Sequence, residues 1–486
     1  MKEISITDNV ISTLSWDMRV NLPPKAAIYR AETIAYLSEK LYSMKTSPEL
    51  KELCDKLSSK KDNDSISAAM VKRALNEYKK LTDIPAKLYS EFAEHNLKTE
   101  LLWQEARAKN DYVMLKNSLE KQFDYKRQFA ECFGYVQNPM DWLVADGEEG
   151  MTTDKLDKIF DELKSEVMKL LDKIKNSGIK YDREFIYGKY PIEKQREFCK
   201  QMVIKAGYDF EAGRLDESAH PFSFSNDKTD IRMTTRYFEH NFLGGTLASM
   251  HEMGHSVYAQ NHSDDLCGTT LDHGTSFGWH ESQSRFYENI IGRSKQFWVY
   301  FLPLAKTYFD CLKDIKLDDF YNSLNAVYIN PLRLNSDELT YNLHIIIRYE
   351  IENMIFSGQV GFDELPDVWN KKTEEYLGIR PKNDAEGILQ DVHWASGHIG
   401  TFQSYVLGNC YDGHILNKIK KEIPDMFEQI GKGKFDDIFN WLKKHIHVHG
   451  RIYDPAELLN LVTGEELAPS HYINYLNQKY SEIYKL

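Results

Sequence analysis

The sequence predicts a mainly α-helical protein that forms one large domain over residues 1–486 and contains a small β-sheet. Proline is scarce, with 14 residues in the chain, and apolar residues recur at three- and four-residue spacing over long stretches. No long linker rich in proline, glycine or serine interrupts this pattern. We expect a mostly helical part over 1–215, followed by a second part over 216–486 that carries the candidate site residues described below.

Helical elements are indicated in order along the first part. Leucine and isoleucine at helical spacing predict two short amphipathic helices near residues 34–41 and 50–57. A polar break over 59–65 precedes a third helix, and residues 88–129 are predicted to form further long helix. The polar residues at 152–154 are typical of a helix N-cap and predict that another helix begins there.

One segment, 220–237, follows a different period. Phe222 and Phe224 precede a turn sequence at 226–228, and apolar and polar residues then alternate over 230–236. Alternation with a period of two predicts a small β-hairpin or strand pair. Helical spacing resumes after Gly244 and Gly245, so the sheet precedes the next helix directly.

That next helix carries the pattern His251–Glu–Met–Gly–His255. Residues i and i+4 lie on the same helical face, so the two imidazoles can bind one zinc ion. Glu252 projects beside them, where it can take a proton from a water molecule at the metal. The alternatives are a chance match and two core histidines whose nitrogens bond to backbone carbonyls.

A catalytic zinc site keeps three protein ligands and one open position, so a third ligand should follow on another element. Glu281, in the helical stretch 279–289, is the predicted third ligand. Glu288 and Asp272 are alternatives for orienting a ligand histidine. Glu288 could equally belong to a solvated helix face.

Composition excludes several other classes of protein. The net charge of -13 and the lack of a basic stripe argue against nucleic-acid binding. The first residues have no signal-peptide pattern, and no apolar run of about 18 residues predicts a membrane helix. The six cysteines form no CxxC pair, which indicates neither a disulfide framework nor a thiolate zinc site. We therefore expect a cytoplasmic protein.

Ordered motifs along nearly the whole chain resemble the carboxypeptidase Taq family of metallocarboxypeptidases. The matching segments are 15–17 with 23–24 (SWD and PP), 220–222 (HPF), 230–234 (DxRxT), 251–255 (HExxH), 280–283 (HESQ) and 387–394 (GxxQDxHW). Two segments depart from the family pattern. Residues 332–337 read LRLNSD in place of IRxxAD, and residues 400–409 end in YVLGN in place of TYxLGN. These departures bear on substrate preference more than on the chemistry.

The resemblance implies a helical fold with a deep substrate groove and the removal of single residues from peptides with a free C-terminus. It also implies Zn²⁺, with Co²⁺ as a substitute, and a homodimer. Through the HPF and DxRxT motifs it implies that His220, Asp230 and Arg232 contact the substrate.

A carboxypeptidase must recognise the free carboxylate of its substrate, and a guanidinium does this best through two parallel hydrogen bonds. His344 and Arg348 are four residues apart and share a helical face, and this HxxxR pair also matches the family. Arg232 and Arg333 are further candidates for this task. The alternative is that Arg348 is structural and pairs with Glu352.

The oxyanion formed during peptide hydrolysis needs a hydrogen-bond donor besides the metal. Tyr405 and His393 are the candidates, and the resemblance supports a tyrosine at this position. Gly397 and Gly400 lie between them and could form a hinge. The alternative for Tyr405 is an ordinary aromatic core residue.

Two other functions remain open at this point. A zinc oligopeptidase or dipeptidyl carboxypeptidase on a related helical fold would share HExxH and differ in where its groove closes. A helical interaction protein with a vestigial zinc site is the alternative outside enzymes, and the intact Glu252 argues against it, since metal binding alone does not require that acid.

Overall fold

The computed structural model describes residues 2–59, 64–135 and 137–486, and its architecture is mainly helical. Residues 60–63 of the predicted polar break lie outside this part. The helices are α1 (Lys2–Val20), α2 (Ala27–Lys45), α3 (Pro48–Ser58), α4 (Ser65–Asp83), α5 (Ala86–Lys109), α6 (Tyr112–Phe133), α7 (Pro139–Gly147), α8 (Thr153–Ser177), α9 (Ile192–Lys205), α10 (Phe242–Gln260), α11 (Phe277–Arg285), α12 (Lys295–Tyr308), α13 (Leu317–Leu324), α14 (Glu338–Phe356), α15 (Leu365–Leu377), α16 (Gln403–Glu422), α17 (Met426–Gly431), α18 (Asp436–His445), α19 (Pro455–Thr463) and α20 (Ser470–Tyr484).

The chain divides into two compact units, each assembled from three segments. Unit 1 contains residues 1–81, 181–324 and 414–466, and unit 2 contains residues 82–180, 325–413 and 467–486. Each unit therefore draws on residues from both sides of position 215. That the chain acts as one catalytic domain stays a prediction. Among the described residues, no helix is both long enough and apolar enough to span a membrane.

At two helix boundaries, the residues next to the boundary determine where the helix begins or ends. Helix α8 begins where the polar residues predicted it, because the Thr152 side chain accepts a hydrogen bond from the backbone N–H of Lys155 at 3.4 Å. The long helix predicted over 88–129 is instead two helices. Asn110 adopts a left-handed conformation with φ of 58°, and Asp111 caps the start of α6. Asparagine tolerates this conformation better than most residues, so the break is encoded locally.

A three-stranded sheet in unit 1 has the order β1–β3–β2, with β1 at Gly213–Glu217, β2 at Ser223–Ser225 and β3 at Ile231–Thr235. The antiparallel pair β2–β3 confirms the predicted hairpin. Strand β1, which pairs in parallel with β3, was not predicted, because its sequence GRLDE lacks apolar alternation. Helix α1 covers the hairpin through Trp16, whose ring lies 5.2 Å from that of Phe222.

Helix α10 lies in the core of unit 1, and α14 lies in the core of unit 2. At the start of α10, Phe242 stacks on Tyr190 with ring centroids 4.9 Å apart and also contacts Phe309 at 5.1 Å. The helix begins at Phe242, earlier than predicted, because the Asn241 side chain accepts the N–H of Gly244 at 3.1 Å. Helix α14 has 15 buried residues over its 19 positions. The functional side chains below therefore extend from helices that are held on most sides.

Candidate active site

Two histidines and a glutamate of α10 form the first candidate cluster, in unit 1. His251 and His255 are one turn apart, with ring centroids separated by 5.0 Å. Both rings keep some exposed surface, whereas Glu252 between them is buried. The helix thus presents two imidazoles side by side next to a carboxylate.

Glu281 reaches the same point from α11. Its Oε1 lies 3.9 Å from His251 Nε2, and its Oε2 lies 3.7 Å from His255 Nε2. One donor atom from each of the three side chains lies within 4.8 Å of the other two. Two imidazole nitrogens and one carboxylate form a known ligand set of catalytic zinc sites, so these residues fit a divalent metal ion.

A glycine in the motif allows α11 to approach α10 this closely. A Cβ atom added to Gly254 would lie 2.4 Å from the Gln283 carbonyl oxygen and 2.6 Å from the Ser284 Cα. Backbone atoms of α11 therefore occupy the space that any other side chain needs. This contact brings Glu281, two residues before Gln283, to the two histidines.

Surrounding side chains orient the three candidate ligands. Glu288, in a π-helical turn that continues α11, lies with its Oε2 3.0 Å from His251 Nδ1. That bond directs His251 Nε2 toward Glu281. Burial opposes ionisation of Glu288, but the hydrogen bond and charge of His251 outweigh it and lower its pKa to about 2. Arg285 holds Glu281 through a bond of 2.9 Å from Nε to Oε1.

His255, the other candidate ligand histidine, has a different partner, which the sequence did not identify. His255 Nδ1 lies 3.3 Å from Nδ1 of His280, the first residue of the HESQ motif. Asp272, one of the alternatives for orienting a ligand, instead bonds to His262 Nδ1 at 2.9 Å. The HESQ motif drew attention to His280, but a sequence motif does not show which side chain His280 contacts.

Glu252 occupies a low-dielectric position beside these groups. Burial raises its pKa to about 7, the Glu281 charge adds to this rise, and His251 opposes it. A carboxylate with a raised pKa is suited to accept and then release a proton near neutral pH.

A second cluster, in unit 2, is centred on Asp391 of the GxxQDxHW motif. Arg348 donates from Nε to Asp391 Oδ2 at 2.7 Å, and its Nη2 lies 2.5 Å from the same oxygen. Arg333 donates from Nη2 to Oδ1 at 2.7 Å. Burial opposes ionisation, but the two guanidinium groups hold the pKa of Asp391 well below its usual range. The motif was recognised in the sequence, yet the aspartate was assigned no role there.

His344 lies one turn before Arg348 on α14. Its backbone carbonyl accepts a hydrogen bond from Arg348 Nη1 at 2.6 Å. Burial and the neighbouring charges of Arg348 and Arg333 lower its pKa to about 3, so the imidazole is neutral. Its Nε2 atom is buried and has no hydrogen-bond partner among the described residues.

The alternative pairing of Arg348 with Glu352 is wrong. Glu352 instead accepts hydrogen bonds from Trp394 Nε1 at 2.7 Å and from the Gly400 N–H at 3.2 Å. Arg348 points toward Asp391, 43 positions further along the chain, and lies over the Trp369 ring at 4.6 Å. Spacing of i to i+4 on one helix allowed a pairing that the tertiary fold does not make.

His393 and Tyr405 lie together in unit 2. His393 Nε2 lies 3.3 Å from the Tyr405 hydroxyl, and its ring packs on Phe402 with centroids 4.5 Å apart. Burial lowers the pKa of His393 to about 3, so its imidazole is neutral. Tyr405 keeps part of its surface exposed, unlike most aromatic core residues.

The three remaining candidates lie in or next to the sheet of unit 1. Asp230 accepts two hydrogen bonds from Arg232, at 2.6 Å from Nε and 2.7 Å from Nη2. The Arg232 guanidinium also lies 5.8 Å from the Trp16 ring centroid. His220 is exposed, in the stretch before β2. The Asp230–Arg232 pair is therefore integrated into the packing of α1 on the hairpin.

A helical fold with an HExxH helix and a downstream glutamate defines a metal-dependent peptidase. Residues 1–480 match the carboxypeptidase Taq (M32) metallopeptidase family, and the chain belongs to this family. It is 41% identical to carboxypeptidase 1 of Bacillus subtilis (strain 168), over 100% of this chain and 97% of that protein. It is 36% identical to thermostable carboxypeptidase 1 of Thermus thermophilus, over 97% of this chain and 94% of the relative.

Solved structures agree with this assignment. The crystal structure of an M32 carboxypeptidase from Deinococcus radiodurans R1 superposes with a TM-score of 0.97 at 33% identity, covering 100% of this chain and 98% of that one. The predicted fold class, the family and the function are thereby confirmed. The chain is a metal-dependent carboxypeptidase, and the alternative of an oligopeptidase or dipeptidyl carboxypeptidase is not favoured.

Proposed function

We propose that this carboxypeptidase uses Zn²⁺ bound by His251, His255 and Glu281 and releases single C-terminal residues from peptides. The observation that carries the proposal is the convergence of one donor atom from each of these residues within 4.8 Å. The hydrogen bond between Glu288 and His251 Nδ1 supports it further, since it turns His251 Nε2 toward the other ligands. Co²⁺ is the proposed substitute.

A divalent ion at this position supplies Lewis-acid chemistry, because it polarises the scissile carbonyl and acidifies a water molecule. Glu252 is the proposed general base. It takes the proton of the attacking water and delivers it to the leaving amine. Its burial beside the two histidines supports this role.

We assign recognition of the substrate carboxylate to His344 and Arg348, with Arg333 and Asp391 as their neighbours. Two guanidinium groups and one carboxylate leave this cluster with one net positive charge. A free carboxylate loses its hydration on entering a protein and needs such a charge in return. The buried Nε2 of His344 has no hydrogen-bond partner in the part of the chain that the structure describes, so it is available to donate to the carboxylate.

Tyr405 is the proposed donor to the oxyanion, with His393 as its partner. A neutral imidazole 3.3 Å from the tyrosine hydroxyl can accept from it or donate to it. The part-exposed tyrosine supports a role beyond core packing. His220, Asp230 and Arg232 are proposed to contact the peptide in a deep groove, on the resemblance of their motifs.

The remaining proposals rest on the family resemblance and on sequence features. We propose a homodimer and a cytoplasmic location, with peptides that carry a free C-terminus as substrates. Light scattering at micromolar concentration tests the dimer directly, and a monomer mass would contradict it. Digestion of a peptide, read by mass, should give a ladder that shortens by one residue at each step. Loss of two residues at each step would favour a dipeptidyl carboxypeptidase.

Metal analysis of purified variants tests the ligand set. We expect about one zinc per chain in the unaltered protein and a strong loss in His255→Ala and Glu281→Ala. His449→Ala is the control, since this histidine makes an edge-to-face contact with Tyr453, with ring centroids 5.3 Å apart, and is not one of the three candidate ligands. Full zinc occupancy after both ligand substitutions together would contradict the proposal.

A further inference from the structure

Glu352 on α14 is a buried carboxylate for which the reaction described above has no use. It is 0% exposed, and it accepts hydrogen bonds from Trp394 Nε1 at 2.7 Å and from the Gly400 N–H at 3.2 Å. A carboxylate oxygen faces each donor, since Oε1 accepts from the indole and Oε2 from the backbone. Both donors belong to one short segment, residues 394–400.

This segment directly follows His393 and shortly precedes Tyr405, the proposed oxyanion pair. Helix α14 holds the polypeptide on both sides of His393. On one side, Arg348 bonds to Asp391, two residues before the histidine. On the other side, Glu352 bonds to Trp394, the residue directly after it. Because Arg348 and Glu352 are one turn apart, two consecutive turns of one rigid helix fix the position of the histidine.

The segment has little freedom to move around the carboxylate. The His398 N–H donates to the His393 carbonyl at 2.8 Å, and the Gly397 N–H donates to the Trp394 carbonyl at 3.2 Å. A Cβ atom added to Gly400 would lie 2.5 Å from the Leu143 Cβ, so the backbone already touches its neighbour. A substitution of Glu352 that displaces residues 394–400 should therefore also displace His393.

We propose that Glu352 is a positioning residue for the His393–Tyr405 pair. It acts through Trp394 and Gly400 to hold His393 Nε2 at its distance of 3.3 Å from the tyrosine hydroxyl. This inference rests on the proposed function of that pair. A small displacement of a reacting or orienting group lowers the rate of the chemical step while leaving substrate binding nearly intact.

Two substitutions test this in different ways. Glutamine has the shape of Glu352 but offers one acceptor oxygen, so Glu352→Gln places an N–H group against one of the two donors. Trp394→Phe keeps an aromatic ring but removes the indole N–H together with part of the buried ring system. Glu350→Gln is the matched control, because it is the same change two residues earlier on α14, in contact with Lys372 and Tyr376.

We measure kcat, KM, zinc content and melting temperature for each variant of the full-length zinc enzyme. For Glu352→Gln and Trp394→Phe we expect kcat to fall by about 10- to 100-fold with KM within about twofold of the unaltered enzyme. Zinc content should not change. Glu350→Gln should lower the melting temperature and leave kcat unchanged. The double variant Glu352→Gln/Trp394→Phe should match the more impaired single variant, because both remove the same restraint.

The inference is overturned if kcat stays near normal in Trp394→Phe. This variant also tests the inference if Glu352→Gln fails to fold. It is equally overturned if Glu350→Gln lowers kcat as much as Glu352→Gln does. Tyr405→Phe separates this inference from the proposed function. A normal kcat in Tyr405→Phe means that the oxyanion assignment fails, whereas a lowered kcat there with a normal one in Glu352→Gln means that only the positioning role fails.

Discussion

Replacing Arg348 with alanine should remove the net positive charge of the cluster around Asp391. His344 has its pKa lowered to about 3 by burial and by the nearby arginines, so it contributes no charge at neutral pH. Arg348 and Arg333 together therefore exceed Asp391 by one charge. In the alanine variant Arg333 and Asp391 balance each other, and a substrate carboxylate loses the charge that attracts it.

The size of the effect follows from the burial of Arg348, which is 0% exposed. Loss of a buried charge-assisted contact costs about 2–5 kcal/mol, which corresponds to a factor of about 30 to 4,000 in affinity. Arg348→Ala should also lower the free energy of unfolding, by up to about 3–5 kcal/mol, because Arg348 bonds to Asp391. Activity alone is therefore an ambiguous readout, and a comparison of two ligands is needed.

Inhibition constants of two product-like ligands provide this comparison. One ligand is an N-acyl amino acid with a free carboxylate, and the other is the same compound as its amide. In Arg348→Ala the carboxylate should lose affinity by the factor above, and the amide should lose little. Arg348→Lys should recover part of the loss, since an ammonium restores the charge without the planar fork of donors.

Arg127→Ala is the control for lost stability. Arg127 donates to the backbone carbonyls of Ile355 and Phe356 at the end of α14, about two turns after Arg348. It should lower the melting temperature without changing the ratio of the two inhibition constants. If Arg348→Ala weakens both ligands by the same factor, Arg348 serves the fold and does not recognise the carboxylate.

Three further predictions concern the metal cluster and the fold. Glu252→Gln should keep its metal ion and its melting temperature but lose about 10²–10⁴ in kcat, because an amide cannot take the proton. A near-normal kcat would mean that another group is the base. Gly254→Ala should push α11 away at Gln283, lower the free energy of unfolding by about 1–3 kcal/mol and weaken metal binding in a chelator competition. Gly361→Ala is the control, because a Cβ atom there meets only the Glu364 side chain at 3.6 Å. Glu350→Gln should lower the free energy of unfolding by about 1–3 kcal/mol at pH 7. Burial opposes ionisation of Glu350, but hydrogen bonds from two lysines and a tyrosine lower its pKa below the ordinary 4.5. The contribution of Glu350 to the free energy of unfolding is therefore complete above pH 4.5 and is lost as the pH falls through the lowered pKa. The unfolding curves of the unaltered protein and of Glu350→Gln should therefore converge in acid.

Local patterns in the sequence identified much of the candidate site. Two histidines four residues apart must share a helical face wherever the helix packs, so His251 and His255 could be paired without a structure. The β2–β3 hairpin followed from alternation, and the start of α8 followed from the capping side chain of Thr152. The resemblance of ordered motifs added the family, which the comparisons confirmed.

Contacts between distant segments could not be obtained in this way. Glu352 satisfied the spacing for a pair with Arg348, yet the arginine bonds to Asp391. On a helix surface, i and i+4 side chains can meet, but which partner a buried charge takes depends on what the fold brings to it. Strand β1 was missed for a related reason. Its sequence has no apolar alternation, and it is extended because it pairs with β3.

The sequence by itself determined the helical class and the HExxH face with Glu252 between its two histidines, because each depends on residues within about one or two helical turns. The tertiary structure decided which groups surround them. Only the packing of α11 against Gly254 brings Glu281 to the histidines, and only the fold of unit 2 gives Asp391 two arginines and leaves Glu352 to Trp394. Buried charges and hydrogen-bond donors must pair with whatever groups the folded backbone brings next to them. The sequence does not show which distant residues those are.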